Sequence, residues 1–282
     1  MTPHEFLKYI PGTNCGECGH PACLAFAVAV TMGGLDPASC PYLDSSFLSE
    51  KPMAAGGDHE GGLERVEKGQ EERDMALVAH LKSKVRNLDF ATLAERLGAF
   101  RDVARPEVLV FDYLGRRVEL SVDQVLMDGD ELVDPRDQIL LYNYVAYGGG
   151  RKPDNTWVGL ESLPNTISKV RTLATYCEDR LARRFSGRPV DLVRICTRLG
   201  ARSDQGEQSG SVSMVIPVLP FVPLYLLFWD EEPEDGFEAR VKVLFDHHVL
   251  DFLDVESLVF AAERLADEIA ELDSGPDQAA SG

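Results

Sequence analysis

Four of the six cysteines in this 282-residue chain lie within one short stretch, Thr13 to Cys40. They are separated by two, four and sixteen residues. The first three lie in a loop that contains Gly16 and Gly19, and glycine permits the sharp turns that bring neighbouring thiolates to one centre. The fourth returns from the far end of a short helix. The stretch therefore predicts a metal centre, with the candidate ligands Cys15, Cys18, Cys23 and Cys40.

The spacing of these cysteines indicates the type of centre. Structural zinc sites usually use two separated Cys-x-x-Cys pairs, whereas this chain has one pair, Cys15 and Cys18, followed by the single cysteines Cys23 and Cys40. Three close cysteines with a remote fourth are typical of an iron–sulfur cluster. The spacing favours such a cluster, and zinc, disulfides and free thiols remain as alternatives.

The residues around the cysteines resemble a known iron–sulfur module. It occurs in the large subunit of the corrinoid iron–sulfur protein and in the B subunit of the Rnf ion-translocating ferredoxin oxidoreductase. The resemblance extends from about Phe6 to Leu43 and includes the cysteines, Gly16 and Gly19. It implies a [4Fe–4S] cluster used in low-potential electron transfer. The matching residues between the cysteines and beside them are Ile10 to Asn14, Leu24 to Ala27, Asp36, Pro37 and Pro41.

Composition and charge exclude some classes of function. The formal net charge of −19 opposes binding to nucleic acid or to an anionic membrane surface. The apolar stretch from Ser211 to Trp229 is interrupted by Pro217, Pro220 and Pro223, which break a helix, so we expect no membrane insertion. No apolar signal segment opens the chain, and cysteines in a reducing compartment favour metal over disulfides. We therefore expect a cytoplasmic protein.

The predicted elements favour an α+β fold. Helices and strands do not alternate regularly, and short turns join neighbouring strands, which favours an antiparallel or mixed sheet. The sequence predicts helices at about 3–10, 24–32, 63–88, 89–100, 138–147, 169–185, 189–199 and 255–272, and strands at 107–113, 116–121, 156–160, 241–245 and two within 211–229.

We divide the chain into a [4Fe–4S]-binding module at 1–50, a linker at 51–62, an α+β domain of unknown function at 63–273 and a disordered tail at 274–282. The region from about 90 to 272 resembles a family of uncharacterised domains from anaerobic bacteria and archaea, often found beside or fused to this module. The resemblance indicates a domain boundary and an association with the iron–sulfur module, but it indicates no activity. It is carried by Leu140 to Tyr144, Trp157, Leu163, Pro164, Pro217 to Pro220, Trp229 to Glu232 and Leu244 to Asp246.

Other candidate sites have ordinary structural interpretations. Cys177 and Cys196 lie on predicted helices, where buried thiols are common core residues, although a second redox site is the alternative. His247 and His248 are candidate metal ligands, yet adjacent histidines after a strand more often form a turn. His20 lies inside the cysteine loop, where it could donate a hydrogen bond to a sulfide or face solvent.

Two further motifs carry weak signals. Gly148 to Lys152 suggests a phosphate-binding loop, but Pro153 follows at once and no Lys-Ser/Thr helix start is present. Trp229 to Glu232 places an aromatic ring and three carboxylates at a strand end, as either a solvated turn or the rim of a cofactor or partner site.

The sequence thus favours an iron–sulfur protein in electron transfer. The cluster would take an electron from a ferredoxin-like donor, and the C-terminal domain would dock a redox acceptor. The resemblance suggests a corrinoid protein in need of reductive activation as that acceptor. The alternatives are an iron–sulfur sensor or assembly factor, and an enzyme with a second cofactor pocket in the C-terminal domain.

Limited proteolysis tests the division into modules. Residues 51–62 are rich in glycine and small residues, so we expect a protease at low concentration to cut there before any other segment. The C-terminal fragment should keep its fold without iron, because it contains none of the four candidate ligands. Circular dichroism of the purified fragment checks this, and cooperative unfolding of the whole chain on removal of the metal would contradict it.

Overall fold

The computed structural model describes residues 2–12, 17–20, 22–33, 35–44, 59–102, 104–204 and 211–275. The chain forms two compact units, Met1–Met75 and Ala76–Gly282. The predicted linker lies outside the described residues up to position 58, and a helix begins at His59. The predicted disordered tail lies outside them from position 276. The predicted domain boundaries therefore remain a prediction.

The first unit contains short helical elements whose first turns are capped by side chains. The Thr2 hydroxyl accepts a hydrogen bond from the Glu5 amide at 3.3 Å, and the Thr2 amide donates to the Glu5 carboxylate at 2.8 Å. The Asp36 carboxylate likewise accepts from the Ala38 amide at 2.9 Å. The elements are α1 (Pro3–Phe6), a 3₁₀ turn (Leu7–Tyr9), α2 (Cys23–Gly33), a 3₁₀ turn (Pro37–Ser39) and α3 (His59–Val85), which continues into the second unit.

After the end of α3, the second unit contains helix α4 and a five-stranded antiparallel sheet in the order β1-β2-β3-β4-β5. The strands predicted at 107–113 and 116–121 form a hairpin, in which Leu114 and Gly115 join them with φ of 51° and 75°. Two consecutive residues with positive φ give the turn that suits the twist of a two-residue hairpin. The elements are α4 (Phe90–Arg96), β1 (Phe100–Arg101), β2 (Leu109–Tyr113), β3 (Arg116–Leu120), β4 (Val125–Met127) and β5 (Asp130–Glu131).

Most of the sequence between β5 and β7 is helical, with the short strand β6 after the first helix. Helix α5 begins after Asp134, whose carboxylate accepts from the Arg136 amide at 2.9 Å, and it ends before Gly148, which is in the left-handed conformation. Glycine adopts the φ of +69° there without strain. The elements are α5 (Pro135–Tyr147), β6 (Trp157–Gly159), a 3₁₀ turn (Leu160–Ser162), α6 (Ile167–Leu173), a π turn (Ala174–Glu178), α7 (Asp179–Phe185) and α8 (Pro189–Arg198).

The second sheet is also antiparallel and has the order β6-β10-β9-β8-β7. Its central strand is buried along most of its length, which explains why the sequence from Ser211 to Trp229 is so apolar. Two buried strands around a proline-rich bend were predicted there, and Pro217 indeed pairs with Pro223 beside a bulge. The elements are β7 (Arg202–Ser203), β8 (Val212–Leu219), β9 (Val222–Trp229), β10 (Arg240–Asp246), a 3₁₀ turn (Val249–Asp251) and α9 (Val255–Ser274).

The α+β class with antiparallel sheets is therefore confirmed, but three details of the prediction were wrong. The helix predicted at 89–100 ends at Arg96, because Gly98 takes a φ of +63° and Phe100 starts a strand. The helix predicted at 169–185 contains a π turn at Ala174–Glu178. The short strands β1, β4, β5 and β7 were not predicted.

Within the described part of the chain, none of the helices combines the length and the apolar character that crossing a bilayer requires.

A buried charged network joins β2, α5 and α9. Asp137 is 1% exposed and accepts hydrogen bonds from the Tyr113 hydroxyl at 2.8 Å and from the Arg264 guanidinium at 2.9 and 3.1 Å. Burial, together with the nearby Asp137 carboxylate, raises the pKa of Tyr113 well above its ordinary value, so the phenol stays protonated and donates. Every charge in the network has a partner, which is the condition for burying it.

Removing Asp137 tests this network. Asp137→Ala leaves the buried Tyr113 phenol without its acceptor, while the partly buried Arg264 guanidinium still pairs with Asp267 at 3.4 Å. We therefore expect a loss of about 3 kcal/mol in the free energy of unfolding. Both tryptophans, Trp157 and Trp229, belong to the second unit, so tryptophan fluorescence in a denaturant titration reports its unfolding. The control is Asp130→Ala, an exposed carboxylate on β5, which should cost less than about 0.5 kcal/mol. Equal effects of the two substitutions would contradict the account.

Candidate metal centre

Local structure brings the described cysteines from separate parts of the sequence to one region. Cys23 is the first residue of α2. Cys40 directly follows the Pro37–Ser39 turn, where its amide donates to the Pro37 carbonyl at 3.2 Å. Cys18 lies in the loop before α2, and Gly19 beside it has a φ of +83° that glycine adopts without strain. Two short helical elements and one glycine turn thus set the positions of three thiols.

The three thiols share one apolar cluster. Cys23 and Cys40 are 8% and 7% exposed, and Cys18, which is partly buried, packs against the same cluster. The Phe6 and Phe26 rings lie 6.0 Å apart between their centroids and link α1 to α2. An apolar shell of this kind excludes water from a bound centre and tunes its potential. The other buried members are Ile10, Ala27 and Val30.

Cys15, the predicted fourth ligand, lies outside the described residues. Its role therefore stays a prediction from the sequence. Three thiols around one apolar cluster are compatible with an iron–sulfur centre.

Two contacts of the loop were not apparent from the sequence. The Tyr42 hydroxyl donates to the Glu17 carboxylate at 3.0 Å, which joins the residue before Cys18 to the segment after Cys40. His20 is half-buried, and its ring lies 5.7 Å from that of Phe26. Tyr42 and Glu17 are exposed and far apart in sequence, so no helix or strand periodicity predicts their hydrogen bond.

The remaining cysteines belong to the core of the second unit. Cys177 and Cys196 are fully buried, as the sequence favoured. Burial raises the pKa of the Cys177 thiol well above its usual range and that of Cys196 to about 12. Both thiols are therefore protonated at neutral pH, which opposes redox chemistry or metal binding at these positions.

The glycine-rich stretch Gly148 to Lys152 does not form a phosphate loop. The Arg151 guanidinium pairs with the Asp251 carboxylate through hydrogen bonds of 2.9 and 3.2 Å. At Gly149 a side chain is excluded, since a Cβ there would lie 2.5 Å from the Arg96 carbonyl oxygen. These glycines allow the backbone to pack closely after α5. The Arg151 guanidinium is already paired with Asp251.

The acidic segment after β9 is held by the turn between α7 and α8. The Gly187 amide donates to Asp230 at 2.8 Å, and the Ser186 hydroxyl donates to Glu231 at 2.7 Å. A surface cleft of about 280 Å³ lies beside this segment. It is lined by Trp229, Asp230, Glu232, Phe237, Glu238 and Arg240.

Comparison with protein families identifies the class of protein to which this chain belongs. Residues 10–42 match the family model described as "Putative Fe-S cluster". This match, together with the three thiols around one apolar cluster, defines an iron–sulfur protein. Residues 89–268, more than half of the sequence, match the model described as "Domain of unknown function (DUF3786)". The chain belongs to the DUF3786 family.

The curated relatives match the cysteine-rich segment alone. The chain is 46% identical over 55 residues to the corrinoid/iron-sulfur protein large subunit of Moorella thermoacetica, which covers 20% of this chain and 12% of that protein. It is 48% identical over 53 residues to the acetyl-CoA decarbonylase/synthase complex subunit gamma 1 of Methanosarcina thermophila, covering 19% and 11%. The chain thus spans about a tenth of the length of these relatives. No solved structure matches it.

Cysteine substitutions test the site directly. We expect Cys23→Ala or Cys40→Ala to lower the iron and acid-labile sulfide content of anaerobically purified protein by most of its amount, because each removes a candidate ligand from the apolar cluster. Cys15→Ala and Cys18→Ala should do the same. Cys196→Ala is the matched control, since it removes a buried, protonated thiol and should leave iron and sulfide unchanged. Iron content unaffected by Cys40→Ala, or stoichiometric zinc in its place, would contradict the assignment.

Proposed function

We propose that this protein carries one [4Fe–4S] cluster on Cys15, Cys18, Cys23 and Cys40 and transfers electrons at low potential. The observation that carries the proposal is the shared apolar cluster around three of these thiols. When bound, the cluster supplies one-electron redox chemistry. The chain supplies the thiolates, the glycine turn that orients them and an apolar shell that limits access of water.

Access for a redox partner is favoured on one side of the site. Cys18 is only partly buried, and Glu17 and Gly19 on either side of it are exposed. Leu24 and Val28 on α2 are also exposed, although both are apolar. A partner that covers these side chains gains apolar burial and approaches the thiolate of Cys18. This supports electron transfer over a purely structural role of the cluster.

The proposed partners are a ferredoxin-like donor and a corrinoid protein as acceptor. The support is the similarity of the cysteine-rich segment to a protein named for both a corrinoid and an iron–sulfur centre. The second unit would dock the acceptor, in keeping with the proposed division into modules. The net charge of −19 favours encounter with a basic face. A reducing compartment, the cytoplasm, would keep the thiolates available for iron.

Electrochemistry tests the proposed function. We expect reversible one-electron reduction at roughly −300 to −600 mV, in the lower part of the iron–sulfur range. Reduced protein should then pass its electron to a corrinoid protein in the Co(II) state, monitored by the visible spectra of both centres. The rate should fall as salt rises, because screening weakens attraction between an acidic and a basic surface. Cys196→Ala is the control and should transfer electrons at the rate of the unmodified protein.

One outcome would contradict electron transfer, and a second would contradict only the proposed acceptor. Irreversible loss of the cluster on oxidation, without a reversible couple, would favour a sensor or an assembly factor. Reversible reduction without transfer to the corrinoid protein would leave electron transfer standing and overturn the proposed acceptor.

A further inference from the structure

A second group of metal-ligating side chains lies at one edge of the second sheet. Strands β6 and β10 pair antiparallel, with Trp157 opposite Asp246. This register places the loop before β6 beside the turn after β10. The loop contains Asp154, and the turn begins with His247 and His248. Residues almost a hundred positions apart are thereby brought together.

A buried carboxylate holds the loop and the turn in place. Asp246 is 1% exposed and accepts backbone hydrogen bonds from Asp154 at 3.0 Å, from Asn155 at 2.8 Å and from His248 at 2.9 Å. The His247 amide donates to the Thr156 carbonyl at 3.0 Å. Asn155 takes a φ of +65°, a conformation that asparagine tolerates better than most residues. The backbone around the three side chains is therefore fixed before any ligand binds.

The side chains of Asp154, His247 and His248 converge. One ligand atom from each lies within 4.8 Å of the others. The two imidazole rings are 3.6 Å apart between their centroids. Asp154 Oδ1 is oriented by the Thr156 amide at 3.0 Å and lies 3.4 Å from His247 Nδ1.

The contact between Asp154 and His247 is not a hydrogen bond. Among the described residues, Nδ1 of His247 and Nδ1 of His248 are both enclosed and lack a hydrogen-bond partner. Enclosed polar atoms in folded proteins normally have a partner, and one without it calls for an explanation. Two ligands at about 2.1 Å from a tetrahedral zinc ion are about 3.4 Å apart, which is the distance observed here between the nitrogen and the oxygen.

We propose that Asp154, His247 and His248 bind one divalent transition-metal ion, separate from the iron–sulfur centre. Two neutral imidazoles and one carboxylate suit zinc and its neighbours. The Arg151 guanidinium pairs with Asp251 and therefore does not compete with a metal ion for the Asp154 carboxylate. Three protein ligands leave at least one position for water or a substrate, as in catalytic rather than structural zinc sites.

Zinc binding to the full-length, cluster-loaded protein tests this site. The protein is equilibrated anaerobically with zinc, freed of excess metal by gel filtration and analysed for zinc and iron together. We expect one zinc per chain in addition to the iron. The double variant His247→Ala/His248→Ala should lose this zinc, and Asp154→Asn should weaken binding by at least about 10-fold. His80→Ala, an exposed histidine on α3, is the matched control and should retain it.

Iron content separates this site from the cysteines. It should stay constant in all of these variants, so loss of zinc at constant iron supports the proposal. The temperature of unfolding of the second unit, followed by tryptophan fluorescence, should rise with zinc in the unmodified protein and not in the double variant. Asp154 is 54% exposed, so Asp154→Asn keeps the fold even where the double variant does not.

Three results would overturn the proposal. They are unchanged zinc binding in the double variant, gain of zinc only with an equivalent loss of iron, and absence of bound zinc from folded, cluster-loaded protein. The last would identify the histidines as a packed pair in a turn.

Discussion

The proposed iron–sulfur function depends on the packing of Cys18, Cys23 and Cys40 against one apolar cluster. These thiols come from a loop, from the first residue of a helix and from the end of a 3₁₀ turn, and each position is set by a local signal. Thiolates held this way suit the binding of an iron–sulfur centre, and the apolar surroundings of such a centre control how easily it is reduced.

The N-terminal unit was predictable because its signals are local. The capping box at Thr2 and the Asp36 cap of the Pro37–Ser39 turn each act within a few residues. The same holds for Asp134 and Asp254 in the second unit, whose carboxylates cap α5 and α9. Spacing and resemblance together identified the candidate ligands, which the family match to residues 10–42 supports at the level of an iron–sulfur protein.

The features that escaped prediction depend on contacts between distant residues. The Asp137–Arg264–Tyr113 network joins three elements, and no single segment indicates it. The meeting of Asp154 with His247 and His248 follows from the register of β6 on β10, which only the folded sheet defines. From sequence alone the two histidines resembled an ordinary turn, because their third partner lies far away in the chain.

Electron paramagnetic resonance of the chemically reduced, full-length protein tests the central claim most directly. A four-cysteine cluster that carries one electron predicts about one unpaired spin per chain, with a signal that disappears on reoxidation and returns on a second reduction. The signal should be absent from Cys40→Ala and present in Cys196→Ala. A full complement of zinc with no spin in the reduced protein would contradict the account.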